Sequence, residues 1–567
     1  MTTVTQRVDP VTLTVIWSSL ISVVDEMGGA LKRTAFSEAV REGEDFSTGL
    51  FDRQGRLIAQ GNFTPGHLGS MPYVLQNVMR YIPLESWEPG DAIATNDAFL
   101  GGGHFPDMFL VSPVFEQGRL LGFVVNTAHH ADVGGVSPGS EGVQGVTSAF
   151  MEGIRILPVK LIRNDAFDPD LLRVILGNVR LPEKMRGDLL AQRNANFVGA
   201  QRLRRLYASY GDNQVTQAIE EILERSEARA RELIRRLPEG TYSYEDQLDD
   251  YGPGTAPIRV AVDVTLKDGE ATVDFSRSGD EVPAGINCYI NYTRAYASFA
   301  MRIFAGIDVP NNAGAERAIK TVAREGSFFN ARYPAPGGGR ASVQVRIFDT
   351  INGAMAQAIP ERAMGAFTHW ANPKFGGFDR ATGKSWIMYD LVLGGFGGRS
   401  DKDGVEAMCP VFNCANVPVE VHETNNPVRI HRLELIQDSS GGGEHRGGSG
   451  IRKDVEMLAD DVTVTLLGDR HLNAPYGLFG GLPGARGRTV LIRDGAESDL
   501  GSKEVLKLGR GDIVSFRLAG AGGYGDPLRR DPAKVRDDVK DGFLSREKAV
   551  SIHGAAALND ADQYQPT

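Results

Sequence analysis

Gly101-Gly102-Gly103-His104-Phe105-Pro106-Asp107 and Ala128-His129-His130-Ala131-Asp132 flank a single stretch of chain, and that stretch decides where they meet. Between them run MFLVSPVF, the polar tetrapeptide Glu116-Gln117-Gly118-Arg119, and LLGFVVNT. Two short runs rich in β-branched and aromatic residues, joined by a Gly-containing polar link, predict a β-hairpin. Folded about Gln117-Gly118, antiparallel partners sum to about 235, give or take a residue of register, which sets Asp107 opposite Ala128 and His104 near His130 or the residue after it. Five side chains of ligand type (His104, Asp107, His129, His130 and Asp132) then converge at the open end of the hairpin, the arrangement of a metal site. Imidazole and carboxylate together suit Zn, Mn or Fe, and the absence of nearby Cys argues against a thiolate zinc. Pro106 disfavours a helix between His104 and Asp107. A single histidine could simply close a strand with local hydrogen bonds; five convergent groups are harder to explain that way.

At 567 residues the chain exceeds one core, so several domains are expected. A net charge of −11 gives no basic footprint for nucleic acid or an anionic membrane. Glycine, 68 of the 567 residues, points to a turn-rich β protein. The three cysteines, Cys288, Cys409 and Cys414, are few and odd in number, which fits a reducing, cytoplasmic setting. The apolar N-terminal run VTLTVIWSSLISVV follows Asp9-Pro10 and continues into Asp25, Glu26, Lys32 and Arg33. It reads as an amphipathic soluble helix, neither a signal peptide nor a membrane span.

The expected fold class is α+β: multidomain and β-rich, with mixed sheets and peripheral helices, and the metal site at a hairpin end in the N-terminal domain. Residues 1–238 form that domain, with a second hairpin turning at Asp52–Gly55, a helix from His67 to about Tyr81, and a charged helix from about Gln214 to Arg236. Residues 239–430 form a central α/β domain with a hairpin at Lys267-Asp268-Gly269, residues 431–530 a β-rich domain, and residues 531–567 a short helical tail. Gly383-Lys384-Ser385 lacks the earlier glycine of a phosphate loop, because position 378 is Phe378. Gly135-Val136-Ser137-Pro138-Gly139 fails as a nucleophile elbow, since Pro138 has no N–H for an oxyanion hole.

Further motifs extend the pattern: Glu44-Asp45-Phe46-Ser47, His67-Leu68-Gly69-Ser70-Met71-Pro72, Asn96-Asp97, Arg180-Leu181-Pro182 with Gly187-Asp188, Arg446-Gly447-Gly448-Ser449-Gly450 and Gly522-Gly523-Tyr524-Gly525-Asp526-Pro527. With the two ligand stretches, they resemble the hydantoinase B/oxoprolinase family over nearly the whole chain. The resemblance implies a divalent metal, Zn or Mn, held by Asp45, His104, Asp107 and His129. It makes His130 and Asp132 the catalytic candidates for proton transfer and Asn96 a neighbour of the metal or the substrate. The implied activity is that of the metal-bearing subunit of an ATP-dependent cyclic amidohydrolase opening a hydantoin, 5-oxoproline or lactam. A hydantoinase A-type ATPase partner would spend ATP to phosphorylate the substrate, and this subunit would deliver metal-activated water, in a hetero-oligomer such as a dimer of heterodimers. A subunit of an acetone- or acetophenone-type carboxylase is the implied alternative. The chain departs from the family's pattern at Ala98-Phe99 and Gly102-Gly103, where a Tyr and a Thr hydroxyl are missing, and this leaves the substrate open.

Overall fold

A computed structural model describes residues 8–558 except 62, 307–310, 381, 409–410 and 412–413. Cys409 and the last residues of the tail therefore lie outside the described residues. Helix α1 (Pro10–Thr34) starts where Asp9 accepts from the N–H groups of Val11 and Thr12 and Pro10 fills the first turn. By length and composition alone this helix is apolar enough to cross a membrane, a test that the core helix of a globular protein also passes. Its stripe of Leu13, Ile16, Leu20, Val23, Met27 and Leu31 is buried in a core shared with helix α5 (Pro182–Tyr210).

After the short α2 (Glu38–Arg41), strands β1 (Phe46–Asp52) and β2 (Leu57–Gln60) form the second predicted hairpin, and α3 (Pro65–Tyr81) follows. Strands β3 (Ala92–Thr95), β4 (Asp107–Glu116), β5 (Arg119–His129), β6 (Val159–Arg163) and β7 (Ala166–Phe167) complete a seven-stranded antiparallel sheet in the order β2-β1-β5-β4-β3-β6-β7. Helices α1, α5 (Pro182–Tyr210) and α6 (Asp212–Arg235) pack on one face; α3 packs on the other, with Phe109, Val111, Phe123 and Val125 beneath it. The helix α4 (Pro169–Leu176) begins on the Asp168 cap.

The central hairpin forms as expected about Gln117 and Gly118, both at positive φ. Its register falls within the expected residue of tolerance, one step from the central value. A bulge between Val114 and Phe115 admits an extra residue on β5, so beyond it Asp107 pairs with His129 rather than Ala128.

Beyond α6, strands β8 (Gly240–Leu248), β9 (Ile258–Lys267), β10 (Glu270–Asp274) and β11 (Ile319–Val322) form a second sheet, with the hairpin at Asp268-Gly269 as predicted. Helix α7 (Ile290–Ala305) and the helix Gln344–Met355 bury their apolar sides in the core of this sheet. The remaining strands form further sheets, one of which pairs Lys374–Asp379 with Val462–Thr465. Strand pairing thus runs across the boundary expected at 430, because the two segments share one hydrophobic core. The mixture of helices and several sheets is the α+β architecture expected.

Candidate metal centre

Three strand ends meet at one edge of the first sheet. Asp45 precedes β1, Asp107 opens β4 and His129 closes β5, and the His129 N–H donates to the Asp45 carbonyl at 3.0 Å. His104 enters from the loop before β4, whose Asp107 N–H donates to the His104 carbonyl at 3.2 Å. His67 comes from the first turn of α3 and Glu141 from the segment after β5. All six side chains are buried.

The distances bring the four predicted ligands into one cluster. His104 Nε2 lies 2.9 Å from Asp107 Oδ1 and 3.1 Å from His129 Nδ1, and His129 Nδ1 lies 3.2 Å from the same Asp107 oxygen. His67 Nε2 is 3.3 Å from Asp107 Oδ2 and 3.8 Å from Asp45 Oδ1. The Tyr389 hydroxyl donates to Asp45 Oδ2 at 3.3 Å. Candidate ligand atoms of His104, His129 and Glu141 all lie within 4.8 Å of one another.

The hydrogen-bond directions suit a cation. His104 Nδ1 is 2.7 Å from the Gly338 carbonyl, which can only accept, so the neutral ring carries its hydrogen on Nδ1. Its Nε2 lone pair then faces a carboxylate oxygen, an acceptor directed at an acceptor, and a second imidazole nitrogen, His129 Nδ1, whose role depends on its own hydrogen. His129 Nε2 and Glu141 Oε1 are 3.1 Å apart, yet both are buried without a hydrogen-bond partner. A proton satisfies part of this set; a divalent ion with N/O preference fits all of it.

Two buried cations flank the cluster. Arg340 donates to Asp107 Oδ2 and, through a second nitrogen, to the Tyr292 hydroxyl at 2.8 Å. Lys374 donates to Glu141 Oε2 at 2.5 Å. Gly103 is needed for this packing, since a Cβ there would stand 2.2 Å from the Arg340 guanidinium. Burial opposes charge on Asp107, but His104, His67 and Arg340 hold its carboxyl well below the usual range. Glu141 is likewise held down against burial, chiefly by Lys374. Burial lowers His104 and Lys374. It also opposes charge on His129, yet the carboxylates of Asp107 and Glu141 prevail and raise that ring to about 10.

The other predicted site residues face elsewhere. His130 follows His129 in sequence and, by strand alternation, turns toward α5, where its Nε2 meets Gln192 Oε1 at 3.0 Å. Asp132 accepts from the Arg180 side chain at 2.6 Å and from the Arg180 and Gly134 N–H groups. Asn96 pins the loop, bonding the Phe105 and Ile154 carbonyls. Sequence reasoning missed Glu141, His67, Arg340, Lys374 and Tyr389 as cluster members. Two carried a local signal: His67 heads one of the quoted motifs, and Glu141 is a carboxylate between Ser140 and Gly142 just beyond the ligand stretch.

Comparison with known proteins identifies the family of the chain. The chain matches the Hydantoinase B/oxoprolinase family model over residues 9–527. It is 32% identical to the putative B-type component of a D-/L-hydantoinase from a Pseudomonas species, over 99% of this chain and 98% of that protein. It is also 32% identical to the beta chain of the Pseudomonas jessenii caprolactamase, covering 98% of each. The crystal structure of the ATP-dependent caprolactamase from that organism superposes with a TM-score of 0.91, at 31% identity over 97% of this chain and 96% of that one. A nucleotide-free acetone carboxylase structure shares the fold, with a TM-score of 0.84 at 20% identity over 96% and 79% of the two chains. Fold and sequence place the chain in a family whose named members include a hydantoinase component and a caprolactamase chain. The chain belongs to the hydantoinase B/oxoprolinase family.

Proposed function

We propose that this chain is the metal-bearing subunit of an ATP-dependent cyclic amidohydrolase, acting on a hydantoin, 5-oxoproline or lactam together with an ATPase subunit of the hydantoinase A type. The observation that supports it is the buried set of crowded acceptors at His104, Asp107, His129 and Glu141, on a fold shared with caprolactamase. His104, Asp107 and His129 would hold one Zn or Mn ion, completed by Asp45. A divalent ion held there acidifies water and polarises a carbonyl oxygen.

The chain's own residues prepare that site. The Gly338 carbonyl fixes the hydrogen of His104 on Nδ1, Arg340 orients Asp107, and Lys374 keeps Glu141 ionised. Proton acceptance, expected of His130 and Asp132, falls to a group inside the cluster, because those two side chains are committed to Gln192 and Arg180. Glu141 Oε1, a carboxylate oxygen without a hydrogen bond, is placed for it. Burial excludes bulk water from the cluster. We place the protein in the cytoplasm, a reading supported by the buried free thiol of Cys288. A ketone carboxylase subunit has only the shared fold in its favour.

Resonance makes a ring amide a weak electrophile, so ring opening calls for activation by the ATP-using partner in a hetero-oligomer. Turnover of a panel of cyclic amides is to be measured with the purified, metal-loaded chain, alone and with its co-expressed partner and ATP. The expected result is ring opening only in the complex and only with ATP. Equal, ATP-independent rates from the chain alone would replace this reading with a self-sufficient metallohydrolase.

A further inference from the structure

Glu152 is a buried carboxyl that the proposed chemistry leaves unused. It follows the short turn Ala149–Met151, and its side chain lies beneath the glycine-rich segment Pro336-Gly337-Gly338-Gly339-Arg340. Glu152 Oε1 accepts the Gly338 N–H at 2.6 Å, and the carboxyl also bonds the Gly337 N–H.

That segment supplies two groups to the cluster. The Gly338 carbonyl accepts His104 Nδ1–H at 2.7 Å, and Arg340 donates to Asp107. The same residue thus gives its N–H to Glu152 on one side and takes a hydrogen from His104 on the other. The fit is close: a Cβ on Gly338 would stand 2.8 Å from the Ser140 carbonyl and 3.1 Å from Glu152 Oε1. The three glycines have no side chains before Arg340, so outside groups must hold the segment. The Gly285 carbonyl takes the Gly339 N–H at 2.7 Å, and Glu152 takes the two before it.

We propose that Glu152 is a positioning residue for the metal centre: by anchoring the Gly337-Gly338 peptides it fixes which nitrogen of His104 carries the hydrogen and where Arg340 meets Asp107. This rests on the metal reading above. Burial pushes Glu152 up to about 8, so the side chain is largely protonated at neutral pH and glutamine is its closest mimic.

The experiment is chelator competition for Zn and Mn on the full-length wild type, Glu152→Ala, Glu152→Asp and Glu152→Gln, with circular dichroism to establish folding. Loss of partners behind metal ligands typically weakens metal affinity ~10–100-fold. That loss is expected for Glu152→Ala, and for Glu152→Asp, which is one methylene too short and serves if the alanine variant does not fold. Glu152→Gln should regain most of it, because it keeps the acceptor oxygen. Wild-type affinity in the alanine and aspartate variants overturns the proposal. So does a glutamine variant as weak as alanine, which would make charge rather than the hydrogen bond the cause. A wild-type chain that takes up neither ion defeats the metal reading itself, a result distinct from both.

Discussion

Two buried polar regions of this molecule contain similar residues and differ in how they are matched. In the first, Arg346 donates to Asp469 at 2.6 Å, Arg470 donates to Asp349 at 2.6 Å, and Lys503 stands 3.2 Å from Asp469, with Asp246 shared between the two arginines. Each carboxylate there faces a cation. In the cluster at His104, Asp107 and His129, acceptors crowd a single ring: His104 Nε2, Asp107 Oδ1 and Glu141 Oε1 all lie within 3.2 Å of a His129 nitrogen, and the cations Arg340 and Lys374 sit behind the carboxylates. Burial of charge is common to both, so burial alone marks neither as a site. The crowding of acceptors around so few donors is what calls for a ligand, whereas the matched network joins the segment at 344–355 to β8 and to loops of the C-terminal region.

The largest effect should come from unmatching the matched region. Arg346→Met leaves Asp469 and Asp349 buried without that partner, and breaking such a pair costs about 3–5 kcal/mol. A lowered urea midpoint with unchanged metal content is expected. A stable variant, or one that loses its metal, would erase the distinction between the regions.

The next effect belongs to the mismatched cluster. A ligand bound only by the folded state stabilises by about 2.7 kcal/mol at a hundred times its dissociation constant. Stripping the ion with a chelator should therefore lower the thermal midpoint of the wild type. It should leave that of His104→Ala unchanged, since no ion remains to be lost. Identical chelator shifts in both proteins would show that the stabilising ion binds elsewhere.

The hairpin carrying this cluster was legible because Gln117-Gly118 has turn chemistry and the flanking runs have strand chemistry. The last residue of its register was not. A bulge is one extra residue, and in a strand buried on both faces, as β5 is from Leu121 onward, apolar residues do not alternate and cannot reveal the shift. The same absence of alternation concealed which of His129 and His130 faces the cluster. Asp45, His104, Asp107 and His129 were legible as types and motifs. Arg340 and Lys374 were not, because each meets its carboxylate across a sequence separation of 233 residues and no local pattern marks such a contact. Helix α6 ends at Arg235 and β8 begins at Gly240, on either side of position 238. The sheet that spans position 430 left no mark in the sequence, because glycine-rich stretches punctuate turns within a sheet as readily as gaps between domains.

The smallest effect on the metal gives the finest test, because it compares neighbours. His129 and His130 are adjacent, but the pleat sends their rings to opposite faces of the sheet. His130 is bound into a chain of buried amides: Gln192 Nε2 donates to the Met108 carbonyl at 2.7 Å and to Asn126 Oδ1 at 2.9 Å, which leaves Gln192 Oε1 to accept from His130 Nε2. His130→Asn should therefore cost about 1–3 kcal/mol through unmatched buried groups and leave the metal content at the wild-type level. His129→Asn should lose the ion while the fold survives. Metal analysis and urea midpoints measured side by side would decide it. If His130→Asn released the ion as His129→Asn does, the two faces would act as one site and the amide chain behind His130 would belong to the metal centre.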